Sequence, residues 1–167
     1  VALKTPQTTQ AAKRFRASAL VAARVNHHNI AKTLDYFEEG GSEYLIEEFI
    51  NGETLDDKQQ KLGILDPHIG ARVLHLLAKG VTASHRADVI HRDLKPSNVM
   101  TTKGVNVHQL KITDFGIARI TDSVKTRTGS FMGSPSYMAP EQMTGSRVDG
   151  RADLYALGVT FYQLLTG

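Results

Sequence analysis

His91-Arg92-Asp93-Leu94-Lys95-Pro96-Ser97-Asn98, with Asp114-Phe115-Gly116 following it, is the pair of stretches from which the rest of the chain can be read. The first is short and irregular and carries three polar ends. The carboxylate of Asp93 can take a proton. Two positions on, the ammonium of Lys95 can meet anionic oxygen. Three further, the amide of Asn98 can offer an oxygen to a hard cation. The second stretch adds the carboxylate of Asp114 beside an aromatic anchor and a glycine. Amide and carboxylate oxygens converging on one place suit Mg²⁺, which is usually held by one or two protein oxygens together with substrate phosphates. The competing reading is that Asp93 and Asn98 are ordinary turn formers.

The two stretches match H-R-D-L-x-x-x-N and D-F-G, and in this they resemble the catalytic loop and metal-binding segment of protein kinases, specifically the Ser/Thr type seen in eukaryote-like bacterial enzymes. The ordered pair is far more specific than a lone D-F-G. The resemblance implies an α+β, two-lobed protein-kinase-like fold. Residues 1–50 would form a partial small lobe and hinge, and residues 51–167 a partial large lobe. It implies transfer of the ATP γ-phosphoryl group to Ser or Thr hydroxyls of proteins. Asp93 would accept or orient the hydroxyl proton. Lys95 would neutralise the moving phosphoryl group, and Asn98 and Asp114 would hold Mg²⁺.

Working back towards the start, Val1-Ala2-Leu3-Lys4 alternates as a strand does and resembles the V-A-I-K strand, so Lys4 is expected on the α- and β-phosphates of ATP. Residues 13–25, rich in Ala, Leu and Arg, read as a helix with Phe15, Ala19, Ala22 and Ala23 on one face. In the family this helix supplies a Glu that pairs with the strand lysine. Ser18 occupies that position here. No neighbouring acid can replace it, because residues 1–34 contain no Asp or Glu. Residues 29–37 and 43–49 read as strands joined by a turn at Gly40-Gly41. The run from Tyr44 to Gly52 resembles the hinge, with backbone groups of Glu48 and Ile50 offered to adenine. Glu47 then guards the back of the nucleotide pocket. A carboxylate buried there needs a partner or a proton, and Lys4 is the partner that suggests itself. A one-residue shift of register is the competing reading.

Working forward, residues 67–87 read as a long helix, with Ile69, Val73, Leu76, Leu77 and Val81 at helical spacing. His75 and His85 on it have no second ligand at metal spacing. Residues 99–100 and 110–113 read as short strands flooring the nucleotide site. Residues 117–133 are rich in hydroxyls and resemble an activation loop, with Thr126 and Thr128 as expected phosphorylation sites and Arg92 and Arg119 as phosphate receivers. A flexible linker is the plainer reading. Gly133 to Glu141 resembles the segment ending in A-P-E, with Ser134 in place of the usual Thr. Residues 149–167 resemble the buried helix of the large lobe. Asp153 is expected to cap it and bond the catalytic loop, and Leu157, Phe161, Leu164 and Leu165 are expected to be buried.

The composition, 41% hydrophobic and 22% charged over 167 residues, suits one globular core. With no cysteine, a disulfide framework and a Cys-ligated zinc are excluded. The formal charge of +3 is too small to argue for nucleic acid. Residues 35–66, dense in Asp and Glu, face the basic residues 1–34 as two solvated regions. No apolar run is long enough to span a membrane, and no leader pattern stands at Val1. The expected partners are ATP and Ser/Thr-containing proteins, the expected place is the cytoplasm, with a membrane anchor of the parent protein outside this segment left open, as is the oligomeric state. The family's G-x-G-x-x-G belongs ahead of Val1 and further helices belong after Gly167, so the reading is of a fold truncated at both ends. Residues 1–167 alone are then expected to bind ATP poorly, to lack kinase activity and to self-associate. The rival readings are a kinase-like pseudoenzyme that acts as a binding or scaffold module, which Ser18 favours, and a small-molecule kinase, which the A-P-E segment disfavours.

Overall fold

The computed structural model describes residues 1–5, 16, 19–102, 109–115 and 135–167. Ser18, Phe15, Gly116, Arg119, Thr126, Thr128 and Ser134 lie outside the described residues.

Among the described residues, two three-stranded antiparallel sheets frame the molecule. The first contains β1 (Ala2–Lys4), β2 (Thr33–Glu39) and β3 (Ser42–Glu47) in the order β1-β3-β2. The β2–β3 hairpin closes on Gly40 and Gly41, with φ of 59° and 77°. Both positions of this tight turn need positive φ, which glycine adopts without strain. Phe37 and Tyr44 lie directly opposite and stack with ring centroids 4.9 Å apart, which fixes the hairpin register. β2 starts later than the sequence suggested because residues 29–31 are used elsewhere. They run beside β6, where Ala31 N–H donates to the Ile112 carbonyl (2.8 Å) and Ile112 N–H to the Asn29 carbonyl (2.8 Å).

The second sheet contains β4 (Gly52–Thr54), β5 (Val99–Thr102) and β6 (Leu110–Ile112) in the order β4-β5-β6. Gly52 is required there, because a Cβ would lie 1.8 Å from the Thr101 carbonyl oxygen. Besides helical residues 19–22, four helices are set out in full among the described residues. Helix α1 (Leu55–Leu62) starts at a reciprocal cap in which Asp57 N–H donates to Thr54 Oγ1 (3.0 Å) and Thr54 N–H to the Asp57 carboxylate (3.3 Å). Helix α2 (Pro67–Arg86) starts with Asp66 accepting from His68 N–H (2.9 Å) and Pro67 in the first turn. Helix α3 (Pro140–Thr144) is a single short turn, and α4 (Arg151–Thr166) packs along α2.

The core runs between α2, α4 and β6. Val73, Leu76, Leu77 and Val81 are buried on α2, and Leu157 and Leu164 on α4. Close approach is set by Gly80, where a Cβ would meet Ile112 Cδ1 at 2.9 Å. Four positions read as buried or as lying on an apolar helix face differ. Ile69 is 38% exposed because it lies in the first turn of α2. Ala23 is exposed where the helical residues 19–22 give way to a turn, and Phe161 and Leu165 are half-buried. No helix among the described residues is long and apolar enough to cross a membrane.

Candidate active site

The loop 91–98 is held from beneath by one carboxylate. Asp153, fully buried in the first turn of α4, accepts the backbone N–H groups of His91 (2.9 Å) and Arg92 (2.8 Å) and sits 2.8 Å from His85 Nε2. It does not cap its own helix, as the sequence suggested. Gly150 is the capping residue, and the Asp153 side chain is committed to the loop instead. Burial by itself would raise this carboxyl, but the His85 bond, the His91 imidazole and the two N–H donors outweigh it and hold the group below the ordinary carboxylate value. The anchor also sustains a strained backbone, since Arg92 sits at φ 68°.

His91, fully buried, joins this loop to the next segment. Its Nδ1 accepts from Asp93 N–H (3.2 Å), which places the ring proton on Nε2, 2.9 Å from the Thr113 carbonyl. Phe115 meets the same ring edge-on, with centroids 4.6 Å apart. Thr113 then stitches the loop back, because its N–H (2.9 Å) and its hydroxyl (3.2 Å) both donate to the Asn98 carbonyl. Asp114 follows at φ 63°, in the left-handed region that Asp tolerates better than most residues.

The side chains above this frame form a connected set. Lys95 Nζ lies 2.9 Å from Asp93 Oδ2. Asn98 Nδ2 donates to the Asp93 carbonyl (2.7 Å) and to Asp93 Oδ2 (3.1 Å). With its nitrogen committed to Asp93, the oxygen is the end of the Asn98 amide left to serve as a ligand. Asp114 Oδ1 meets Lys4 Nζ at 2.5 Å, and the same ammonium lies 2.5 Å from Glu47 Oε2. Burial lowers the Lys4 ammonium, but Asp114 and Glu47 outweigh it and hold it above the ordinary lysine value. Burial raises the Glu47 carboxyl, and Lys4 offsets only part of that, so the group stays above the ordinary glutamate value.

Glu48 and Ile50, the residues expected at a hinge, make no bond to this set. Glu48 N–H donates to the Lys32 carbonyl (2.9 Å), and its carboxylate takes Lys32 N–H (3.2 Å) and Lys111 Nζ (2.9 Å). That leaves its carbonyl as the backbone group it can offer. Ile50 lies half-buried just before β4.

Three contributors escaped the sequence reading. Gln142 accepts Ala139 N–H (3.0 Å) and donates to the Arg92 carbonyl (2.8 Å), tying the A-P-E segment to the loop. Thr113 and His85 are the others. A Gln beside A-P-E is the only signal for the first, and the motifs carry none for His85, far from Asp153 in sequence.

The sequence profile of the protein kinase domain family matches residues 1–167. The chain belongs to that family. It is similar to the serine/threonine-protein kinase pkn3 of Myxococcus xanthus, 40% identical over 161 residues, a match covering 92% of this chain and 29% of that protein. The crystal structure of the Mycobacterium tuberculosis PknI kinase domain superposes with a TM-score of 0.75 at 28% identity, covering 98% of this chain and 62% of that one. Rad53 1–466 in complex with AMP-PNP superposes with the same TM-score at 26% identity, covering 99% of this chain and 40% of that one. The kinase-domain chain spans well under half the length of the curated relatives it matches, 19% of one and 37% of another. The α+β protein-kinase fold is that of these relatives.

Proposed function

We propose that the protein containing this chain transfers the γ-phosphoryl group of ATP to Ser or Thr hydroxyls of other proteins. The observation that carries this reading is the connected array of Asp93, Lys95 and Asn98, joined through Thr113 to Asp114 and Lys4. The serine/threonine kinase relatives and the AMP-PNP bound to Rad53 support it.

Asp93 takes the hydroxyl proton as the new O–P bond forms and the β,γ-bridge bond breaks, leaving ADP. Lys95, beside Asp93, offsets negative charge on the moving phosphoryl group. Lys4 holds the α- and β-phosphates, and the backbones of Glu48 and Ile50 hold adenine. Among the described residues no cluster of three or more acidic or His side chains could cage a metal. Mg²⁺ needs no such cage, and Asn98 Oδ1 with Asp114 is the one-or-two-oxygen donor set it takes alongside phosphates. When bound it would neutralise phosphate charge. Residues 1–50 are read as the partial small lobe with the hinge and 51–167 as the partial large lobe. An ATP-consuming site calls for the cytoplasm.

The test is Asp93→Asn in the full-length protein. Nucleotide binding is expected to survive while phosphoryl transfer falls by about 10²-fold or more. Transfer within about threefold of wild type would remove the assignment. A wild-type protein that binds ATP with Mg²⁺ yet transfers nothing would favour the scaffold reading. Thr126 and Thr128 are proposed as autophosphorylation sites, and phosphopeptide mapping with label only outside residues 117–134 would exclude both.

A further inference from the structure

Among the described residues Lys4 has two acid partners, and neither belongs to the helix that supplies one in the family. That helix has no acid to give, since residues 1–34 contain no Asp or Glu. We infer that Glu47, from the neighbouring strand, is the residue that positions Lys4 for the nucleotide, so that the lysine is set by the sheet and not by the placing of a helix. This deepens the phosphoryl-transfer reading and rests on it.

The sheet register explains the contact. β1 pairs with β3 so that Lys4 lies opposite Leu45 and Ala2 opposite Glu47. Side chains alternate along a strand, so Leu45 and Glu47 share the face on which Lys4 lies, and Lys4 and Glu47 are diagonal neighbours. That distance is within reach of two long side chains. Leu45 is buried against Ala19 and Tyr36, which keeps this face of β3 turned inward. Glu47 is itself only 4% exposed, so its carboxylate cannot turn to water without moving the strand.

The two partners are not equivalent. Asp114 is the carboxylate assigned to Mg²⁺, and its side chain is 35% exposed. Once its oxygens are taken by metal, Lys4 needs another acid to stay where it is. Glu47 has no such second duty. In kinases that place this acid on a movable helix, withdrawing the helix disconnects the lysine. Here the link spans two hydrogen-bonded strands, and only opening the sheet would break it.

The experiment uses the full-length protein with Glu47→Gln, Lys4→Met and the two combined. Three readouts are taken: affinity for a fluorescent ATP analogue, the KM values for ATP and for a peptide substrate, and the melting temperature. Glu47→Gln is expected to weaken analogue binding and raise the KM for ATP by about tenfold or more, since one partner of a buried charge pair is lost. The peptide KM should not change. In the Lys4→Met background, Glu47→Gln should alter analogue binding by less than about twofold, because nothing remains to be positioned. Lys4→Met alone should lower the melting temperature by leaving a buried acid unpaired, and adding Glu47→Gln should restore part of it. Analogue affinity unchanged by Glu47→Gln, or losses that multiply in the double variant, would overturn the inference. If Asp93→Asn keeps full transfer, the functional reading fails, while analogue binding and melting still judge the Lys4–Glu47 pair separately.

Discussion

Asp93 rides on a loop whose backbone is bonded from beneath by Asp153, whereas Lys4 rides on a three-residue strand and reaches the site by its side chain alone. On the first side the anchor is buried, its acceptors are filled by backbone N–H groups, and the loop is crossed again by His91, Thr113 and Gln142. On the second side position depends on two charge contacts. The difference teaches where tolerance lies. A loop fixed through its backbone keeps its shape when a functional side chain is changed, so Asp93 can be replaced without moving the backbone that carries it. A residue fixed through its charge cannot lose that charge and stay in place.

The largest effect is expected from removing the anchor. Asp153→Ala would strand the N–H donors of His91 and Arg92 and the His85 ring, and should cost about 3–5 kcal/mol, from the loss of several hydrogen bonds to a charged acceptor at roughly 1.5–3 kcal/mol each. Denaturant unfolding of the full-length protein measures it. A loss below about 1 kcal/mol would mean that water or a neighbour takes over the bonds and that the loop is not fixed in this way.

The two sides should also answer pH in opposite senses. Asp153 has a depressed folded value, so its contribution is complete above the unfolded carboxylate value and is lost as pH falls through the folded one. Glu47 has a raised folded value, so the folded state holds its proton longer. Stability therefore declines as pH rises from the ordinary glutamate value up to the folded one. Profiles of unfolding free energy against pH for Asp153→Asn and Glu47→Gln test this. The first should flatten the acid limb and the second the decline above it. A Glu47→Gln profile parallel to wild type throughout would mean that Glu47 titrates as an exposed group does.

How much of this was legible follows the same division. The loop 91–98 is contiguous, so the side chains that the structure brings together there could be picked out from the sequence, as could helix α2 from its repeating apolar face. Helix α1 gave no such signal, because Leu55–Leu62 is nearly all polar and its inward positions include Lys58 and Gln59. Only its Thr54–Asp57 cap was written in local sequence. The supports of the loop were less visible, since the Gln142–Arg92 and His85–Asp153 contacts join residues 50 and 68 positions apart. The early start read for β2 failed because Asn29 and Ala31 bond to β6, which periodicity cannot reveal. The Lys4–Glu47 contact could be suspected because a missing acid in one place and a surplus one in another were both visible.

A smaller loss is expected at Gln142. It makes two bonds, one within the A-P-E segment and one to the Arg92 carbonyl, and it is half-buried. Gln142→Ala should cost about 1–2 kcal/mol by thermal unfolding, the worth of two ordinary hydrogen bonds. Gln142→Glu keeps the acceptor for Ala139 N–H and removes the donor to Arg92, so it should still destabilise. Equal stability of that variant and wild type would show that the link to the loop contributes nothing.

The smallest effect is expected where a charge pair ties the two sheets at the surface. Glu48, just past β3, takes Lys111 of β6 at 2.9 Å and Lys32 N–H at 3.2 Å. Burial alone would raise this carboxyl, but those bonds hold it below the ordinary value, so its contribution is present at neutral pH and fades as pH falls through the folded value. The side chains are 27% and 34% exposed, so water screens the attraction as it does not for Asp153. A double-mutant cycle with Lys111→Met and Glu48→Gln should return a coupling under about 1 kcal/mol, shrinking further at high salt. The backbone bond from Glu48 N–H to the Lys32 carbonyl is untouched by either change, so the junction itself should hold. A coupling that matched the Asp153 loss, or one indifferent to salt, would place this surface pair among the fixed supports and erase the contrast between backbone anchoring and side-chain charge.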